Sequence, residues 1–176
     1  MTSPDVGLFV LRVVVGALLV GHGSQKLFGW FGGFGLRGMA AHLETMGYRP
    51  GLPFALLAAI AETAGGLLLA LGFVTPLAAA LLTATMVNAY AAHAGKGVWA
   101  QNGGWEYPLV LGVVAVALDL AGPGAWSLDA ALGLAPWNGA WIAGGIVAGL
   151  AGGVFGLLLW GSRRPVRAEP RHAVRA

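Results

Sequence analysis

From Phe54 to Val74 the chain reads FALLAAIAETAGGLLLALGFV, a run in which Glu62 is the only charged residue. A helix rises 1.5 Å per residue, so about 20 apolar residues cross a hydrocarbon layer roughly 30 Å thick. Four further runs have the same character: Val6–His22, Leu77–Ala94, Pro108–Ala121 and Trp137–Trp160. The run from Pro108 is short and draws Trp105, Glu106 and Tyr107 into its start. The runs are continuously apolar rather than alternating, and about twice the length of a spanning strand, which excludes a β-barrel. The first is not a cleavable leader, because no basic residue precedes it and Arg12 interrupts it. The fold class is therefore all-α, a polytopic membrane helix bundle with five expected spans.

Composition agrees. Hydrophobic residues make up 57% of the chain and charged residues 10%, against about 25% charged in soluble proteins. The absence of cysteine excludes disulfide relays, cysteine-ligated iron–sulfur clusters and thiolate zinc sites. A net charge of +3 does not point to nucleic acid. Half of the ten Lys and Arg residues are Arg163, Arg164, Arg167, Arg171 and Arg175, in a polar stretch (161–176) that reads as a basic cytoplasmic tail contacting lipid or a protein partner.

With five spans, one side of the membrane receives the N-terminus, residues 75–76 and residues 122–136, with no Lys or Arg. The other receives Lys26, Arg37, Arg49, Lys96 and the tail arginines. The positive-inside rule then puts the N-terminus outside and the C-terminus in the cytoplasm. Within the loop 23–52, Leu36, Met39, Ala40, Leu43 and Met46 recur at helical spacing. They suggest an interfacial amphipathic helix near 36–46, flanked by Trp30, Phe31, Phe34 and Tyr48 as headgroup-level anchors.

In the fifth run, Gly145, Gly149, Gly152, Gly153 and Gly156 form overlapping small-xxx-small pairs. Missing side chains let two backbones approach, either within the monomer or along the seam of a homo-oligomer.

Ionisable residues at membrane depth carry the chemistry. Counting along the spans puts Arg12 and Asp119 at one level near the outer face, which suggests a structural ion pair. Glu62 lies about 12 Å deep. Desolvation favours its neutral acid unless a cation reaches it. It is read either as a helix-locking hydrogen-bonded carboxyl or as a proton-handling group. At the cytoplasmic ends, His22, Gln25, Lys26, His93, Glu106 and Tyr107 fall in one layer. Histidine and carboxylate exchange protons near neutral pH, as quinone chemistry requires. The plainer reading is that such residues only anchor helix ends. His22 and His93 are also the two histidines placed to ligate a b-type haem; no other metal site is expected.

These residues occur within longer motifs. Gly21-His22-Gly23-Ser24-Gln25-Lys26-Leu27-Phe28-Gly29-Trp30-Phe31-Gly32-Gly33 is followed by Glu62 and then Gly65-Gly66-Leu67-Leu68-Leu69-Ala70-Leu71-Gly72. His93, Gly103-Gly104-Trp105-Glu106-Tyr107-Pro108-Leu109 and Gly122-Pro123-Gly124-Ala125-Trp126-Ser127-Leu128-Asp129 come next. In order and spacing the chain resembles the DoxX family of small bacterial and archaeal membrane proteins over about residues 5–133. The resemblance implies a four-helix membrane domain (1–133), which leaves 137–160 as an additional glycine-rich transmembrane helix.

It also implies a bacterial plasma-membrane location and a role as a membrane subunit of a quinone-linked oxidoreductase, including those that pass electrons from thiosulfate to quinone. Some actinobacterial relatives are tied to detoxifying complexes with superoxide dismutase and sulfurtransferase partners. No nucleotide-binding fingerprint occurs in the chain, so a protein partner is expected.

Three functions follow. In the first, a quinone ring lies between Trp30, Phe31 and Trp105, contacts Gln25, Lys26 and Tyr107, and exchanges protons with His22, His93 and Glu106, with Glu62 as an inner relay. In the second, the chain is a non-catalytic scaffold that docks a partner through the fifth helix and Arg163, Arg164 and Arg167. The third is a small-solute or proton pathway, which five spans without an internal repeat disfavour.

Overall fold

A computed structural model describes residues 3–161. The tail arginines, and the docking role expected of Arg163, Arg164 and Arg167, lie outside the described residues. Among these residues all regular structure is helical: α1 (Ser3–Phe28), α2 (Gly35–Thr45), α3 (Gly51–Leu71), α4 (Thr75–His93), α5 (Glu106–Ala121), α6 (Leu128–Ala131) and α7 (Gly139–Gly161). Segments within α1, α3, α4 and α7 are long and apolar enough to cross a membrane. The shorter α5 covers about 24 Å at the helical rise.

α1, α3, α4 and α5 form a four-helix bundle. Its core is Val15, Leu19, Leu69, Ala78, Leu82, Met86, Leu111, Ala115 and Leu118. α1 packs closely on α3, and α4 on both α3 and α5, whereas α1 and α5 scarcely meet. One seam of the bundle is thus lightly packed.

α7 lies parallel to α4 on the outside of this bundle. A Cβ on Gly145 would sit 2.6 Å from the Pro76 carbonyl oxygen, on Gly149 2.8 Å from Thr83, on Gly153 2.7 Å from Val87 and on Gly156 2.7 Å from Asn88. The glycine stripe is therefore occupied within the chain. Gly152 meets only the Ala84 methyl, at 3.6 Å, and Gly144 faces open space. Asn88 donates to the Gly153 carbonyl at 3.1 Å, adding a polar bond to this close packing.

Two expectations change at the loop end. α1 runs six residues beyond His22, so Gln25 and Lys26 are helical and Lys26 falls one turn after His22 on the same face. Tyr48 is not a headgroup anchor. It is 5% exposed, stacks on Trp160 at 5.2 Å and belongs with Ala40, Leu43 and Ala55 to a second core beneath α2. Trp160 donates to the Met46 carbonyl, which fastens the end of α7 to the α2 loop. The apolar face of α2 is thus spent on protein. Around α2, Phe28, Trp30, Phe31 and Phe34 are exposed.

The opposite end is locked by Asp129. Its carboxylate accepts from the Val74 N–H (2.7 Å), the Thr75 N–H (3.0 Å), the Thr75 hydroxyl (2.7 Å) and the Trp137 indole (2.8 Å). Burial pushes this carboxyl up, but the four donors outweigh burial and hold it below the ordinary carboxylate range.

Candidate functional site

The expected Arg12–Asp119 ion pair is not formed. Arg12 is fully buried, and its Nη2 donates to the Trp126 carbonyl at 2.7 Å. The Asp129 carboxylate acts on it electrostatically. Gly72 closes α3 with a left-handed backbone (φ 60°), and a Cβ there would drive into the guanidinium and Ser127. Arg12 therefore braces the chain around residues 72 and 126–129. Asp119 is also buried, but neither carboxylate oxygen has a hydrogen-bond partner. Helix rotation carries the guanidinium toward Trp126 instead.

At the other end, the charges deep in the bundle meet. Lys26 donates to Glu62 in an ion pair, with side-chain exposures of 20% and 6%. Glu62 is thus an ionic partner held from α1, not a lone carboxyl. The His22 Nδ1–H donates to the Gln25 amide oxygen and His22 Nε2 accepts from the Tyr107 hydroxyl, both at 3.1 Å. An amide oxygen accepts only, which sets this tautomer. His93 Nδ1–H donates to the Gly103 carbonyl at 2.6 Å, leaving Nε2 of the neutral ring as an acceptor.

His22, Lys26, Glu62, His93 and Tyr107 line one pocket of about 360 Å³. Met86, Pro108 and Leu111 supply its apolar wall, and Gly103 and Gly104 present backbone to it. Much of the polar layer expected at the span ends therefore converges, although five residues expected at the site, Glu106, Trp105, Trp30, Gln25 and Phe31, do not line this pocket. The Glu106 carboxylate ties the 97–106 loop, accepting from the Ala100 N–H at 2.9 Å. Trp105 packs on Tyr90 at 5.1 Å. Trp30 packs on Phe28 at 5.0 Å.

Gln25 and Phe31 instead line a neighbouring open groove along α1, with His22 common to both cavities. Sequence reasoning missed Met86 and Leu111, which look like ordinary core. Gly104 carried a signal: its paired glycines allow the loop backbone to pass close to the Gly97 and Val98 carbonyls.

A bundle of apolar helices with an ionisable pocket at one end defines a small polytopic membrane protein. The DoxX family model matches residues 7–95, half of the chain and the whole stretch from α1 through α4 apart from its first residues. The chain belongs to the DoxX family. The match stops short of the Gly103–Asp129 motifs and of α7. Comparisons with curated proteins and with solved structures find no match.

Proposed function

We propose that the protein is a quinone-interacting membrane subunit that holds the quinone ring in the His22–Lys26–Glu62–His93–Tyr107 pocket and exchanges protons with it. The observation that carries this reading is the meeting of two hydrogen-bonded titratable pairs, His22–Tyr107 and Lys26–Glu62, beside one apolar wall. The pocket volume suits a one- or two-ring head group. Both ring nitrogens of His22 are already engaged, which favours a hydrogen-bonded quinone over an iron-ligating role in a b-type haem.

A bound quinone supplies two-electron, two-proton chemistry, with electrons exchanged by a redox-active partner protein. His22 and Tyr107 hold a proton on one side of the ring. Lys26 and Glu62 hold a second at greater depth, and His93 Nε2 offers an acceptor. The reading includes five crossings of a bacterial plasma membrane, α5 being the short one, with the pocket toward the cytoplasm. Its support is that Lys26, Arg37, Arg49 and Lys96 all belong to the pocket end.

The test is quinone content of the full chain purified in native-lipid nanodiscs, together with saturable quenching of tryptophan fluorescence by a tail-less naphthoquinone. Binding that falls in His22→Phe and Lys26→Met supports the reading. No co-purifying quinone and no saturable binding would overturn it, and capture of a soluble protein under those conditions would leave the scaffold reading in its place.

A further inference from the structure

Resting on that ring-binding reading, we propose that the groove along α1 seats the isoprenoid chain of the same quinone, which leaves the ring pocket through the lightly packed α1–α5 seam. The groove, about 550 Å³, is lined by the apolar face of Val14, Ala17, Leu18 and Gly21 and is overhung at one end by Phe31. At that end it meets His22, the one residue lining both cavities. His22 also spans the seam through its bond to Tyr107, in the part of the bundle where α1 and α5 scarcely touch. A ring on the inner side of His22 and a chain on its outer side therefore need no passage through packed core.

The chemistry of the lining selects the occupant. From Val14 to His22 the groove follows α1 for about 12 Å, enough for two or three isoprene units. Its only polar members are His22 and Gln25, and no Lys or Arg lines it. A phospholipid brings a phosphate, which such a lining leaves without a counter-charge, whereas a single-chain amphiphile with a neutral ring matches it. Phe31, 76% exposed, lies where the chain meets the head group. A Cβ at Gly21 would meet nothing within 4 Å, so a larger side chain there enters the groove and leaves the bundle undisturbed.

The experiment compares the tail-less naphthoquinone with the same ring carrying a four-unit isoprenoid chain, on the full chain in nanodiscs, for wild type, Gly21→Leu and Ala17→Phe. The expected result is tighter wild-type binding of the tailed compound, with its affinity reduced at least about tenfold in both variants and that of the tail-less ring unchanged. Retained ring binding shows that the variants are folded. Equal losses for both compounds, or no loss for the tailed one, overturn the groove assignment and leave the ring pocket standing. Failure of wild type to bind either compound overturns the pocket reading and the groove assignment together.

Discussion

Lys26 and Glu62, thirty-six positions apart, join the last turns of α1 to the middle of α3 through an ion pair at the edge of the pocket. The pair exists because α1 continues past His22, placing the ammonium one turn further along the face that meets α3. Glu62→Gln leaves that ammonium without a counter-charge, and the expected cost is about 1–3 kcal/mol, reduced from the fully buried case because Lys26 is partly solvated. The double variant Lys26→Met/Glu62→Gln should recover at least half of the loss in thermal denaturation. A double-variant loss equal to the sum of the two single-variant losses would show that the charges are not coupled.

Tyr107→Phe keeps the ring and removes the hydroxyl that donates to His22. One such hydrogen bond is worth about 1 kcal/mol, so affinity for the tail-less quinone should fall about fivefold. Stability should change little, because the hydroxyl is at the open end of α5. An unchanged affinity would remove Tyr107 from the site.

Glu106 offers the opposite outcome. Its carboxylate is committed to the Ala100 N–H, so Glu106→Gln should bind the ring as wild type does. Glu106→Ala should speed amide exchange at Ala100, read by mass spectrometry. Loss of ring binding in Glu106→Gln would return this carboxylate to the pocket.

Gly153→Leu should force α7 away from Val87, at an expected cost of about 1–3 kcal/mol for overpacking, and should alter the emission of Trp160 as its stack on Tyr48 opens. Gly144→Leu, facing open space, should be close to neutral. Similar melting temperatures for the two would mean that the stripe is not a packing surface within the chain.

Asp129 predicts a pH dependence. Its carboxyl is held below the ordinary carboxylate range, so its contribution to stability is fully present above the unfolded-state value near 4 and is lost as pH falls through the lower folded value. Melting temperature should therefore drop as pH falls below about 4 in wild type, and Asp129→Asn, already less stable at pH 7, should lack that part of the drop. A wild-type and variant difference that is constant with pH would contradict this.

The helical class, the runs that become α1, α3, α4, α5 and α7, and the amphipathic stretch that becomes α2 were legible because hydrophobic continuity and the helical period are local properties. That His22, Lys26, His93 and Tyr107 fall at one end of the bundle was also legible, since it follows from counting residues along the runs. Rotation about each helix axis was not. For that reason Arg12 and Asp119 were matched wrongly, while Lys26 and Glu62 were not matched at all. Tyr48 misled for a related reason: an aromatic beside an amphipathic helix looks interfacial until Trp160, more than a hundred residues later, is brought against it. Of the pocket, the histidines and Tyr107 stood out as polar groups ending apolar runs. Met86 and Leu111 did not, since a pocket wall and a core are made of the same residue types.

The direction of α7 has an engineering consequence. Because it runs alongside α4 in the same sense, position 161 emerges beside α2, at the end of the bundle that holds His22 and Lys26. A reporter fused there and one fused ahead of α1 would report from opposite faces of the bundle. Shortening the chain before α7 would move the downstream fusion point to the Asp129 end of the bundle, beside the one ahead of α1.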